Sequence, residues 1–212
     1  HSDHIDGHLG FDIRAIGRRL FEEAFRRDPE GDMTSWGRMM HEGSQTWVGL
    51  QHHALLTPYH ELNRIIDILN PKEGHHFVDL GAGYGRMGLV LNERSPSAHF
   101  TGIECVKERV DEGNRVLSLN DCTRARLMLG NLFAQDFSLP MGDTYMIYDY
   151  GNIEHIRWTM GQLQNLAGIH RFHVVARGQG IRALIQYAHP WLADMGTPVH
   201  EEHFSVYRNY EV

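Results

Sequence analysis

The stretch FVDLGAGYGRMGLVL, residues 77–91, decides the fold. Phe77, Val78 and Leu80 make a short apolar run of strand length. Gly81, Gly83 and Gly85 then interrupt it within five residues, and an apolar pattern of helical spacing follows at once. In an open α/β sheet, ligands bind beyond the carboxyl ends of the strands. Glycines there let the backbone turn tightly and approach a ligand closely. The helix start adds unpaired N–H groups and the positive end of a dipole.

Working outward, apolar runs alternate with helical stretches. Strand 76–80 is followed by helix 86–94, strand 99–104 by helix 107–119, and strand 126–130 by a short segment, 131–140. Strand 144–149 leads to helix 154–166, and strand 171–176 to helix 179–188. HFSVYRNY, residues 203–210, alternates like an antiparallel strand. This order predicts an α/β, Rossmann-like, mostly parallel sheet with helices on both faces and an antiparallel C-terminal strand.

Upstream the reading is helical. Ile13, Ile16, Leu20, Phe21, Ala24 and Phe25 fall on one face of a helix over 12–27, with arginines on the other. Residues 30–56 carry Trp36, Trp47 and several methionines, and read either as a cover over a site or as core at the domain edge. Thr57-Pro58 starts a further helix, with Thr57 as N-cap, and Asn70-Pro71 stops it. These features divide the chain into a helical N-terminal extension, 1–56, and a ligand-binding core, 57–212.

Gly83, Gly85 and Gly88 satisfy GxGxxG, so a dinucleotide has to be weighed. Asp79, two residues before the loop, argues against it, because its carboxylate repels a pyrophosphate and favours an ammonium or sulfonium. S-adenosylmethionine (SAM) has both and no phosphate. Glu104 ends the second strand about 20 residues on, where an acid accepts hydrogen bonds from a ribose diol. That feature serves NAD and SAM alike.

DLGAGYG followed by GIE resembles the first two motifs of the class I SAM-dependent methyltransferase family, and the resemblance runs over roughly residues 57–177. It implies cofactor contacts at Asp79, Gly81, Ala82 and Gly83, Glu104 on the ribose and Cys105 beside the adenine. Asn131 and Leu132 follow the third strand, where the family sets an acid or amide against the adenine. Asn131 reads equally well as a turn residue. Thr57 and Tyr59 are candidates for the methionine carboxylate, or else a plain N-cap with a packed tyrosine. The fourth strand ends in Asp149-Tyr150-Gly151-Asn152, a departure from the (D/N)PP(Y/F/W) of many amino- and base-methylating members. Asp149 and Tyr150 are the candidates beside the methyl acceptor, with Asp149 as base, then Glu154 and His155.

The net charge of −7 and a pI near 6.1 disfavour bulk nucleic acid and leave a small molecule or a protein side chain as acceptor. Two cysteines form no disulfide framework, which suits a cytoplasmic setting. The polar opening HSDHIDGHLG is unlike a signal peptide, and no apolar run reaches the roughly 20 residues that cross a bilayer. The 16 histidines show no metal-ligand spacing. A SAM-fold domain that binds without turnover, and an NAD(P)-dependent oxidoreductase, are the competing readings.

Overall fold

The computed structural model describes residues 2–41, 46–134 and 136–211. Five helices come first: α1 (Ser2–Leu9), α2 (Ile13–Arg27), α3 (Met33–Met40), α4 (His52–Leu55) and α5 (Tyr59–Leu69). Then β1 (His76–Leu80), α6 (Arg86–Arg94), β2 (His99–Glu104), α7 (Lys107–Leu119), β3 (Ala125–Leu129) and β4 (Thr144–Tyr148) follow. The chain continues through α8 (Ile153–Ala167), β5 (His173–Arg177), α9 (Gln179–Ala188), α10 (Pro190–Ala193), β6 (Val199–His200) and β7 (Phe204–Arg208).

The strands form one sheet in the order β3-β2-β1-β4-β5-β7-β6. The first five run parallel, and β7 lies antiparallel to both β5 and β6. Successive side chains of a strand point to opposite faces. Here both faces are covered, so both sets are apolar. Phe77, Phe100, Val175 and Val206 pack with Leu62, Ile65 and Ile66 of α5 and with Met87, Val90 and Leu91 of α6. Val78, Leu80, Tyr145, Ile147 and Val174 pack on the other face with α8 and α9, through Ile156, Met160, Ile181 and Ile185.

A third cluster joins the N-terminal helices to the sheet. Ile13, Ile16, Leu20 and Ala24 of α2 pack with Leu89 of α6 and with Val116 and Leu117 of α7. The segment before residue 57 therefore shares a core with the helices that follow the glycine loop. Phe21 and Phe25, expected on the buried face of α2, are 40% and 49% exposed. They meet Trp36 edge-on at 5.4 and 6.4 Å, which makes Trp36 the bridge from α3 to α2.

Several boundaries differ from expectation for local reasons. Thr57 does not cap the following helix: Pro58 takes the N-cap position and α5 starts at Tyr59. Asn70 stops that helix as expected, in the left-handed region at φ 43°. The fourth strand ends one residue early, at Tyr148, because Asp149 turns toward α9. The polar opening, part of the expected helical extension, forms α1 and buries Asp6.

Candidate functional site

Strand order reverses between β1 and β4, and a cavity of about 440 Å³ opens beyond their carboxyl ends. Its floor is the glycine loop. Gly81 and Gly83 sit at φ 82° and 57°, backbone that L side chains rarely adopt. A Cβ on Gly81 would lie 3.0 Å from the Tyr150 Cβ, and one on Gly83 would lie 2.9 Å from a Leu56 methyl. The cavity wall thus comes down onto bare backbone at both positions.

Glu104 ends β2 against this loop and is 5% exposed. The Gly83 N–H donates to its Oε2 and the Val106 N–H to its Oε1, both at 2.9 Å. A carboxylate offers about four lone-pair sites, so Glu104 keeps acceptor capacity toward the cavity it lines. Arg109 of α7 stands 3.9 Å away and balances part of its charge. Asp79 is close enough for the Glu104 charge to act on it. Burial, and then that charge, push the Asp79 carboxyl up to about 7.

The other sequence-read residues divide into two groups. Cys105, Asn131 and Leu132 line the cavity with Gly81, Gly83 and Glu104. Burial, reinforced by Glu104, pushes the Cys105 thiol up to about 12, which leaves it inert as a nucleophile. The Asn131 carboxamide oxygen accepts the Phe133 N–H at 3.0 Å, so this residue shapes a turn and also faces the cavity. Thr57, Tyr59, Asp79 and Ala82 are not among the lining residues. The Tyr59 hydroxyl donates to Asp6 at 2.8 Å in a buried setting, and the Thr57 carbonyl accepts from Arg86 at 3.1 Å.

Asp149 and Tyr150 both line the far side of the cavity. Each also has a local partner that the sequence did not reveal. The Asp149 oxygens accept the N–H groups of Gly180 at 3.0 Å and Ile181 at 2.7 Å, capping the start of α9. The Tyr150 hydroxyl pairs with Thr159 of α8, and burial raises its pKa. His155 stacks on Phe133 with ring centroids 3.5 Å apart. Burial, then the Arg38 charge, lower its pKa, so the imidazole is neutral near pH 7. Among the described residues no group of three or more His, Cys, Asp or Glu is arranged to hold a metal.

Sequence reasoning left open what residues 46–56 do. They form a strap over the cavity, with Trp47, Leu50, Ala54 and Leu55 facing in and Val48 and Leu56 anchored in the third core cluster. Side chains from opposite sides of the cavity hold two of its carbonyls. Arg109 donates to Trp47 O at 2.6 Å, and Tyr148, at the end of β4, donates to Ala54 O at 3.0 Å. The strap is thus both cover and core. Arg109, Tyr148 and Gln179 were missed, since a lone Arg, Tyr or Gln carries no pattern. Only the position of Tyr148 beside Asp149 hinted at a role.

No protein-family model and no curated protein matches the chain. Solved structures do. An RNA methyltransferase from Salinibacter ruber, in complex with S-adenosyl-L-homocysteine, superposes with a TM-score of 0.54 at 19% identity, over 72% of this chain and 91% of its own. The C-terminal domain of precorrin-6Y C5,15-methyltransferase from Rhodobacter capsulatus gives 0.53 at 14% identity, over 72% and 89%. TrmN from Thermus thermophilus gives 0.51 at 11% identity, over 69% and 47%. The fold is that of the class I methyltransferases. No helix among the described residues is long and apolar enough to cross a membrane.

Proposed function

We propose that this chain binds SAM and transfers its methyl group to an acceptor held at the ends of β4 and β5. The observation that carries this reading is the meeting of Gly81, Gly83 and the Glu104 carboxylate on one cavity, with a second acid, Asp79, beside them. An acid on the cavity, with a second acid behind it, suits a ligand that brings positive charge and a ribose but no phosphate. Once Asp79 is ionised, above about pH 7, a pyrophosphate would meet repulsion there, which counts against NAD(P). The S-adenosyl-L-homocysteine bound by the Salinibacter neighbour supports the same cofactor class.

Glu104 would accept the ribose hydroxyls, and Asp79 would balance the ammonium. Gly81, Ala82 and Gly83 shape the loop along the cofactor, while Cys105, Asn131 and Leu132 flank the adenine. Thr57 and Tyr59 act on the loop through Arg86 and Asp6, without touching the cofactor. When bound, SAM would supply an electrophilic methyl carbon for the acceptor's lone pair, with sulfur as the leaving atom. The chain supplies orientation and exclusion of water. Asp149, capping α9, and Tyr150, over Gly81, position the acceptor end of the cavity. Those same occupied hydrogen bonds favour a second reading, binding without turnover. Methyl incorporation into any acceptor excludes that reading.

Calorimetric titration with SAM, S-adenosylhomocysteine and NADH, each alone, tests the proposal. Micromolar binding of the first two and none of the third is expected, and binding of NADH alone overturns it. The pH dependence adds a sharper check. The folded chain keeps the Asp79 proton up to about pH 7, whereas the unfolded chain loses it near 3.8. Between those values the folded state binds more protons, so this residue makes stability fall as pH rises through the window. Cation binding favours the ionised carboxylate. SAM affinity should therefore rise about tenfold per pH unit below pH 7 and level off above it, with proton release measurable at pH 6. In Asp79→Asn the slope should vanish. A wild-type affinity flat from pH 5.5 to 8 would remove Asp79 from the cofactor site.

A further inference from the structure

The side of the cavity away from Glu104 has a chemistry that restricts the acceptor. It lies between the residues after β4, the start of α9 and the strap. Ala54, Phe133 and Tyr148 give it an apolar wall, and Gln179 is an uncharged polar group there. Among the described residues, three charged side chains line the whole cavity: Glu104, Arg109 and Asp149. All three are engaged. Glu104 and Arg109 face each other at 3.9 Å, Arg109 also holds Trp47 O, and Asp149 accepts two amides of α9. Among the described residues, no cation that lines the cavity is left over to meet a phosphate or carboxylate on the acceptor, and burying an unpaired charge is costly. The strap spans this side, fastened by Arg109 at Trp47 and by Tyr148 at Ala54. A volume of about 440 Å³ for cofactor and acceptor together is near the low end of the roughly 300–1,000 Å³ usual for small-molecule pockets.

We infer that the acceptor is a small, uncharged and mostly apolar molecule, enclosed beneath the strap, with a single hydrogen-bonding nucleophile within reach of Gln179. The inference rests on the methyl-transfer reading for the word acceptor, but the binding preference it states is independent of turnover. Neither a nucleic-acid strand nor an anionic metabolite suits this chamber. The five arginines of α2 do not alter that, because none of them lines the cavity; Arg14, Arg18 and Arg27 pair with Asp3, Glu22 and Glu23.

The test compares two probes of one ring system at pH 7, 2-naphthol (neutral) and 2-naphthoate (anionic), by titration into the full chain with and without S-adenosylhomocysteine. Saturable one-to-one binding of 2-naphthol is expected, with 2-naphthoate at least about tenfold weaker. Ala54→Arg, which sets a cation in the strap wall, should narrow or reverse that ratio while the thermal midpoint stays near wild type. If that variant is unstable, Ala54→Trp, which fills the chamber, should abolish naphthol binding instead. Equal binding of the two probes, no binding of 2-naphthol, or its displacement by an RNA oligonucleotide overturns the inference. If S-adenosylhomocysteine fails to bind while the naphthol preference holds, the methyl-donor reading falls and the chamber's chemistry stands.

Discussion

Asp6→Ala is expected to cost about 3–5 kcal/mol of folding stability, the usual penalty for leaving one partner of a buried ion pair without its counter-charge. Asp6 and Arg86 are each 5% exposed. Arg86 Nε donates to Asp6 Oδ1 at 3.0 Å, Nη2 engages Oδ2, and the Tyr59 hydroxyl also donates to Oδ1. Arg86 is the first residue of α6, directly after Gly85. The guanidinium, held also by Thr57 O, fixes the exit of the glycine loop, so the same substitution should weaken S-adenosylhomocysteine binding. Urea denaturation and ligand titration measure the two effects. A stability loss under 1 kcal/mol would mean that α1 is not a working part of the fold. Asp6→Leu combined with Arg86→Met, which removes both charges, should recover most of the stability but less of the affinity, separating burial from loop geometry.

Glu104→Ala should produce the largest loss of cofactor affinity, on the order of 100-fold or more. Each hydrogen bond to a charged group contributes about 1.5–3 kcal/mol, and about 1.4 kcal/mol corresponds to tenfold in affinity. The change removes the acceptor proposed for the ribose and also strips the Gly83 and Val106 amides of their partner. It further leaves Arg109 without the anion beside it, which loosens the strap at Trp47. Glu104→Gln retains a carbonyl oxygen for one amide, so its loss should be smaller. S-adenosylhomocysteine binding by Glu104→Ala within threefold of wild type would show that this carboxylate is no cofactor ligand.

The parts of the molecule legible in the sequence are those whose cause is local. Strand β1, the glycine loop and helix α6 lie within twenty residues, and each is set by its own apolar spacing and glycines. Strands β1 and β2 and helices α6, α7 and α9 begin and end at the residues expected. Glu104 was legible because its distance from the loop is fixed by one helix and one strand. What could not be read depends on partners distant in sequence. The polar opening belongs to the helical extension read from the sequence, but nothing in it shows that Asp6 is buried against Arg86. Asp149 looks like a free carboxylate until the amides of α9, some thirty residues on, are seen to occupy it. Tyr59, beside a plausible cofactor-closing motif, is committed to Asp6. The strap carries no motif, because its fastening uses its own carbonyls, which every residue has.

The bond between Asp6 and Arg86 spans 80 positions in the chain, and this imposes an order on biosynthesis. At roughly 5–20 residues per second, Arg86 is added about 4–16 s after Asp6. Throughout that interval the nascent chain carries an acid, and soon an apolar face on α2, whose partners have yet to be made. Helices α1 and α2 can dock only after the loop, α6 and α7 exist. A longer pause between these two codons would extend the exposure of Ile13, Ile16 and Leu20 to chaperones, while the finished protein would be unchanged.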